Sequence, residues 1–528
     1  MVRKRIQQVR ASRFARDSGV LQAGSLMLAL LGLAGVLALS HILGAERQAE
    51  FYLASAVFGA LWFALNLGVA AVATSRVAQA SKAGELGEVR DWMTFAVEAT
   101  LLMGILCAVI TWFLVPDLLH WWSGSRSDHT EDVAFLAALL ALEPLVGLPR
   151  LVATVGLQGT RRAASLTRLE NSSELVRVLL VVVGALWQGG ALGAVLGQLA
   201  AAVAGVFFAF YYYGRERRGR GDLPTMTSVF GRLGRVRMAG RWGLGLRMGL
   251  VRNIDAYSVQ VMPALVLDRY GDTEWVAYLR IAQRIVGVLR LFVTGVGRTG
   301  LAALSEAASH GDRRRLGWVY RRTTALGGLC VFLMSLVLVP ILPWFLSHFW
   351  PYDYVQPVWT YVLILIPGMM VMGFSVVNDV FYLITGRLKV GIWISIANFL
   401  VQIPLLFLLA ARYPEKGVAI ALSLIYASSA AHVIYALGWL RTHDQNLPEE
   451  FSDPVQTEQP GTARDPIKTC PYVVLARLNP ARHPLGLGWN AVSPTSPAPP
   501  NAARADQERH PPVAGQHPAR PALAGGLP

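Results

Sequence analysis

The chain has 528 residues, of which 54% are hydrophobic and only 15% charged, and its formal net charge is +15. A soluble protein carries about 25% charged residues, so composition excludes an ordinary soluble domain and indicates an all-α polytopic membrane protein. The three cysteines form no disulfide framework: Cys107 and Cys330 fall in apolar stretches and Cys470 in the tail, where they read as small hydrophobes.

The basic start MVRKRIQQVRASRFAR runs directly into an apolar stretch with no small-residue cleavage site, which predicts a signal-anchor first span. At about 20 apolar residues per crossing, twelve spans are predicted. They cover roughly 20–42, 50–75, 93–115, 133–157, 174–188, 190–213, 243–267, 275–297, 322–346, 357–381, 389–411 and 417–440. The fifth is short, and a start near Leu166 fits equally well.

Charge then orients the chain. The start and every second loop (1–18, 76–92, 158–173, 214–241, 298–322, 386–389) hold 28 Lys and Arg, against five in the opposite loops. The positive-inside rule therefore predicts that both termini are cytoplasmic, and it accounts for most of the excess charge without nucleic acid. The Arg-rich loop 214–241 reads as an orientation signal and a contact for anionic membrane lipids.

A shift of 224 residues aligns Glu50 with Glu274, Ser81 with Ser305, Gly87 with Gly311 and Gly193 with Gly417. The same shift superposes span one on span seven. An even number of spans per repeat makes the repeats parallel, so two six-helix lobes are expected around a central cavity. The expected organisation is a basic N-terminus (1–18), an N-lobe (19–213), a linker (214–241), a C-lobe (242–440) and a tail (441–528). The tail is rich in Pro, Ala and Arg without any period, which predicts disorder. Its composition also matches a GC-rich frame read out of register, and no function is assigned to it.

The residues that most need a reason are charges inside spans seven and eight. Arg247, Arg252 and Asp255 lie in the first of these and Arg280, Arg284 and Arg290 in the second. An Arg at mid-membrane costs roughly 2.5–3.5 kcal/mol unless it faces a wet cavity or a partner. At 100° per residue Arg280, Gln283, Arg284, Gly287, Thr294 and Arg298 share one face of span eight, with Arg290 at its edge. On span seven Arg247, Asp255 and Ser258 share a face, and Arg252 reaches Asp255 at three-residue spacing. Such a surface suits phosphate or uronate groups, which guanidinium grips bidentately. The plainer alternative is an Arg–Asp pair with arginines reaching the interface, and for Arg241 and Arg298 it is preferred.

Secondary candidates are Asn66, Glu98, Glu143, Arg150, and Glu174 with Arg177. Glu143 and Arg150 sit one helical face apart in a span interrupted by Pro144 and Pro149, and a broken helix at mid-depth borders many transport sites. An interlobe salt bridge would explain the same pair. Asn378 and Asp379 are weaker, because Asp379 fits the membrane boundary. No enzyme is indicated: GxxxxGK[ST], HExxH and any Cys/His cluster with metal spacing are all missing.

The stretches AEFYLASAVFGALWFALNLGVAAVATSRVAQAS, NIDAYSVQVMPALVLDRYGDTEWVAYLRIAQRI and ITGRLKVGIWISIANFLVQIPLLFLLAARYPEKGVAIALSL resemble bacterial polysaccharide exporters of the Wzx type. These belong to the multidrug/oligosaccharidyl-lipid/polysaccharide exporters. The likeness covers about residues 15–440, and TGLAALSEAAS departs from it by lacking a proline before the Ser. The resemblance implies a flippase of the bacterial inner membrane. It would move a lipid-linked (undecaprenyl-diphosphate) oligosaccharide or a polysaccharide by rocking two lobes. Its partners would be that glycan lipid, membrane lipids, and a glycan polymerase with other export machinery. No cofactor is expected; proton coupling, sodium coupling and downhill product removal stay open as driving forces.

Three other readings compete. A cation-coupled drug exporter would favour acidic residues in the cavity, whereas arginines dominate here. A peptidoglycan-precursor flippase commonly has fourteen spans. A membrane glycosyltransferase or polymerase needs a large outer loop, and the largest here is about 16 residues, 116–131.

Overall fold

The computed structural model describes residues 13–66, 68–123, 129–219, 221–236, 253–254, 256–289, 304 and 313–442. All its regular elements there are helical, the form in which a chain satisfies its own backbone within hydrocarbon. The first helix, α1 (Arg13–Leu65), carries the first two predicted spans as one bent rod. At Gly44 the backbone takes φ 72° and ψ 174°, a conformation glycine enters without a Cβ clash, and the helix turns there without a loop. The expected loop 43–49 is therefore helical, and Gln48 within it is fully buried.

The first half continues with α2 (Val69–Ala83), α3 (Leu86–Phe113), α4 (Val115–Ser123), α5 (Thr130–Leu140), α6 (Leu148–Gly159), α7 (Ala163–Gln188) and α8 (Ala191–Gly219). The fourth span is bent by 50° between α5 and α6. Pro144 and Pro149 flank that bend, each lacking the N–H that would continue the ladder. The fifth span begins at Ala163, close to the alternative start near Leu166 and well before 174. A short helix, α9 (Met226–Phe230), lies in the connection to the second half.

The second half holds a π-helical turn (Tyr257–Val261), α10 (Met262–Tyr270), α11 over 274–289, α12 (Arg313–Phe349), α13 (Tyr352–Gly373), α14 (Asn378–Ile384), α15 (Leu388–Arg412), α16 (Gly417–Ala427) and α17 (Ala430–Thr442). Among the described residues, seven helices are long and apolar enough to cross a membrane, or eight with the bent pair. The twelve predicted spans exceed that number for identifiable reasons. The rod α1 holds two of them, α7 carries Glu170, Glu174 and Arg177 within its apolar sequence, and residues 237–252 and 290–303 lie outside the described residues. The repeat survives in the helix bounds: α7 shifted by 224 residues covers 387–412, and α15 runs Leu388–Arg412.

Helices in lipid gain nothing by hiding apolar surface from one another, so close backbone approach through small residues does the packing. Along the α7–α8 contact a Cβ on Gly193 would run into the Gly184 carbonyl oxygen, and one on Gly197 into that of Leu180. Gly193→Leu should therefore destabilise the protein by about 1–3 kcal/mol or more. A melting curve in detergent checks it, and an unchanged midpoint would show that the helices part easily.

Residues 221–236 of the Arg-rich loop have a structural role beyond orientation. Arg162, 7% exposed, donates to the Glu216 carboxylate at 2.7 Å and to Asp222. The Tyr213 hydroxyl donates to the Pro224 carbonyl (2.8 Å), Thr94 Oγ1 to the Val229 carbonyl (3.1 Å) and Arg232 to Asp91 (2.5 Å). Glu98, a candidate for the transport path, instead accepts from the Gly234 amide at 2.6 Å. The segment is a strap laid across α3 and α8.

Candidate functional site

The two halves meet most closely at the end that carries the Arg-poor loops. There Trp350 Nε1 donates to Ser40 Oγ (3.2 Å), the His41 ring contacts the Phe349 carbonyl (2.8 Å), and the Tyr354 hydroxyl donates to Gln48 Oε1 (3.1 Å). Trp122 Nε1 donates to the Leu265 carbonyl (3.3 Å), while Arg269 donates to the Trp122 carbonyl (2.7 Å) and stacks on its ring. The largest apolar core adds Val36, Ala49 and Ala56 of α1 to residues of the second half. The hydrogen bonds that join the halves among the described residues gather at this end, with one exception. Asn253 Nδ2 donates to the Phe63 (2.7 Å) and Asn66 carbonyls where the helix breaks before Gly68. Asn66 is thus a joint between halves, through its backbone.

Asp268 lies at this closed end, beyond the predicted limit of its span. Burial pushes its carboxyl up to about 6, against a hydrogen bond from Thr273 and the His129 charge, which pull the other way. A carboxyl with a higher pKa when enclosed than in water takes up a proton on closure. That contribution to closure is complete below the ordinary 3.8 and is lost as pH rises through about 6. In the wild type, hydrogen exchange over 262–270, corrected for intrinsic rate, should be slower at pH 5 than at pH 7. Asp268→Asn should remove the difference.

Beneath the closure, polar groups from both halves converge. Arg280 lies deep among the helices yet keeps part of its surface accessible, and Arg284 is exposed although its helix neighbours Ile281, Ala282, Ile285 and Val286 are buried. Charges inside a membrane protein are tolerated where they meet water or partners rather than lipid, and this inner space supplies partners from both halves. Tyr52 of α1 lies within electrostatic reach of Arg284, Arg280 and Arg177. Glu174 of α7 lies within reach of Arg177, Arg284 and Arg150, and Glu170 of Arg150. Glu143 accepts from Gln198 Nε2 at 2.7 Å and also faces Arg177.

Of the candidates predicted on spans seven and eight, Arg280, Gln283 and Arg284 are therefore placed in this space. Arg247, Arg252, Asp255 and Arg290 lie outside the described residues. From the first half Glu143, Arg150 and Glu174 join them. Two of these residues also hold the fold. Pro263 has no N–H for the Val259 carbonyl four residues earlier, and Gln283 Nε2 supplies that donor at 2.9 Å. Arg280 donates to the neighbouring Gln260 carbonyl and to Gln283 Oε1 (3.1 Å). Both thus support the π-helical turn of span seven.

Sequence reasoning missed Gln48, Tyr52 and Glu170. The first two fell in or beside a supposed loop, and Glu170 preceded the span start at 174, although the alternative start near Leu166 would have included it. The four-residue spacing of Glu170 and Glu174 was the available signal.

The family described as "Polysaccharide biosynthesis protein" matches residues 14–301, and the MatE family matches residues 251–408. No curated protein matches the chain. Among solved structures, an inward-facing multidrug resistance MATE family transporter of the MOP superfamily superposes with TM-score 0.60 at 16% identity, covering 81% of this chain and 98% of that one. A eukaryotic MATE transporter gives TM-score 0.59 at 15% identity over 82% of this chain and 99% of its own. A MOP superfamily transporter from Pyrococcus furiosus, described by the reverse polarity of its binding pocket, gives 0.56 at 15% over 81% and 95%. At such identity these likenesses show the fold, whereas the match over residues 14–301 spans more than half of the chain. The chain belongs to the polysaccharide biosynthesis protein family and is a multi-pass membrane protein with the fold of MOP superfamily transporters.

Proposed function

We propose that the protein flips a lipid-linked oligosaccharide carried on a polyprenyl diphosphate, or exports a polysaccharide, across the bacterial inner membrane by alternating access. The observation that carries this reading is the charge of the inner space. Among the described residues, Arg150, Arg177, Arg280 and Arg284, drawn from both halves, outnumber Glu143, Glu170 and Glu174 there. A diphosphate leaving water needs charge compensation, and guanidinium groups supply it with directional donors. A pocket of reverse polarity is said of the Pyrococcus furiosus protein to suggest a different function. The same reasoning separates this chain from exporters of cationic drugs. In this reading the termini are cytoplasmic, the joined end faces outward, and cargo enters from the compartment where it is made.

The test is purified protein in liposomes holding a fluorescent short-chain polyprenyl-diphosphate sugar, with a reductant outside that quenches only outer-leaflet label. Transfer between leaflets faster than in empty liposomes is expected, with and without proton or sodium gradients. Movement of a cationic dye with no transfer of the glycan lipid would favour the drug exporter instead.

A further inference from the structure

The carboxylate of Glu174 stands in the middle of the arginines that would hold an anionic cargo. Arg177 grips it through two bonds, Nε to Oε2 at 2.8 Å and Nη2 to Oε1 at 2.5 Å. Both partners stay partly accessible, at 28% and 19%. They sit three residues apart on α7, so this ion pair by itself joins no two helices. Across the space, Arg284 of the second half approaches the same carboxylate. A Cβ on Gly32 would be 3.4 Å from Arg284 Nη1 and 3.9 Å from Glu174 Oε1, so these two atoms are at most about 7 Å apart. They do not bond directly, and Arg284 forms no ion pair with any described residue.

We propose that Glu174 is a built-in counter-anion. In the empty carrier it occupies guanidinium donors that the phosphoryl group of the cargo takes over, and cargo binding displaces it from Arg177. The exchange rests on the anionic-cargo reading given above. It leaves the number of charge-assisted bonds on Arg177 nearly constant, while a phosphoryl group, with several acceptor oxygens, can bridge to Arg284 as a single carboxylate here does not. It also fits the charges. Among the described residues, four guanidinium groups face three carboxylates in the empty site. With Glu174 turned away, two positive charges stand uncompensated against the two negative charges of a diphosphate diester. The carboxylate thus makes the empty site tolerable in a low-dielectric surrounding and keeps cargo affinity low enough for release.

The experiment is titration of the full chain in detergent with inorganic pyrophosphate and with a short-chain polyprenyl diphosphate, followed by tryptophan fluorescence. Glu174→Gln should bind both at least tenfold more tightly than wild type and transfer the glycan lipid more slowly. Glu174→Asp should bind as wild type does. Glu88→Gln, on the exposed surface, controls for loss of any carboxylate. Equal or weaker binding by folded Glu174→Gln overturns the inference. Should that variant not fold, infrared difference spectra of the wild type decide. Pyrophosphate should shift one carboxylate band away from its arginine-paired position, and an unshifted band overturns the inference. Absence of any binding by the wild type would instead count against the anionic-cargo reading itself.

Discussion

Arg280→Ala combined with Arg284→Ala should weaken binding of a polyprenyl diphosphate by a hundredfold or more and abolish its transfer between leaflets. A hydrogen bond to a charged group contributes about 1.5–3 kcal/mol, and each arginine can give at least one to a phosphoryl group. The two single variants should differ in kind. Arg284 has no ion-pair partner among the described residues, so its removal should cost affinity while leaving the melting temperature nearly unchanged. Arg280 already donates to Gln260 and Gln283 beside the π-helical turn, so its removal should cost affinity and stability together. Isothermal titration alongside thermal melting separates the effects. Wild-type affinity in the double variant would mean that these guanidinium groups do not meet the cargo.

Arg162→Met should produce a large loss of stability although it lies far from the inner space. Its guanidinium is 7% exposed and holds the carboxylates of Glu216 and Asp222, which are 33% and 42% exposed. Breaking a fully buried pair costs roughly 3–5 kcal/mol. Here the abandoned carboxylates can regain water, so about 2–3 kcal/mol is expected. The bond from Ser165 Oγ to Glu216 (2.5 Å) would remain, but the strap over 221–236 should loosen first. Proteolysis at 220–236 should then become faster, with melting lowered by several degrees. A strap as resistant as in the wild type would show that the apolar contacts of Met226 and Val229 suffice to hold it.

The sequence carried the large features because they follow from local physics. Spans are runs of apolar residues, and the long helices follow them. The repeat shows as an offset of 224 that α7 and α15 keep in their bounds. What could not be read was who answers whom across the fold. Gln48 looked like a loop residue because a helix that turns at a single glycine carries no signal beyond that glycine. Gln283 looked like a cargo contact, yet it compensates for Pro263, which stands 20 positions earlier on another span. Glu98 looked like a charge in transit and proved to hold the Gly234 amide. Polar residues in a membrane protein announce that they have partners, and only the three-dimensional arrangement names them.

The closure of one end also bears on voltage. Under the proposed alternating access, joining the halves at the Arg-poor end would place the inner charges electrically on the side of the other compartment, and reorientation would carry them through the field. Among the described residues the empty site is positive by one charge, and a bound diphosphate would make it negative by one, because the displaced Glu174 carboxylate still travels with α7. Moving one elementary charge through 100 mV is worth about 2.3 kcal/mol. Under the proposed cycle, membrane potential would push the loaded and empty steps in opposite directions. Transport currents that change sign with cargo, recorded from liposomes at clamped potential, would be its electrical signature.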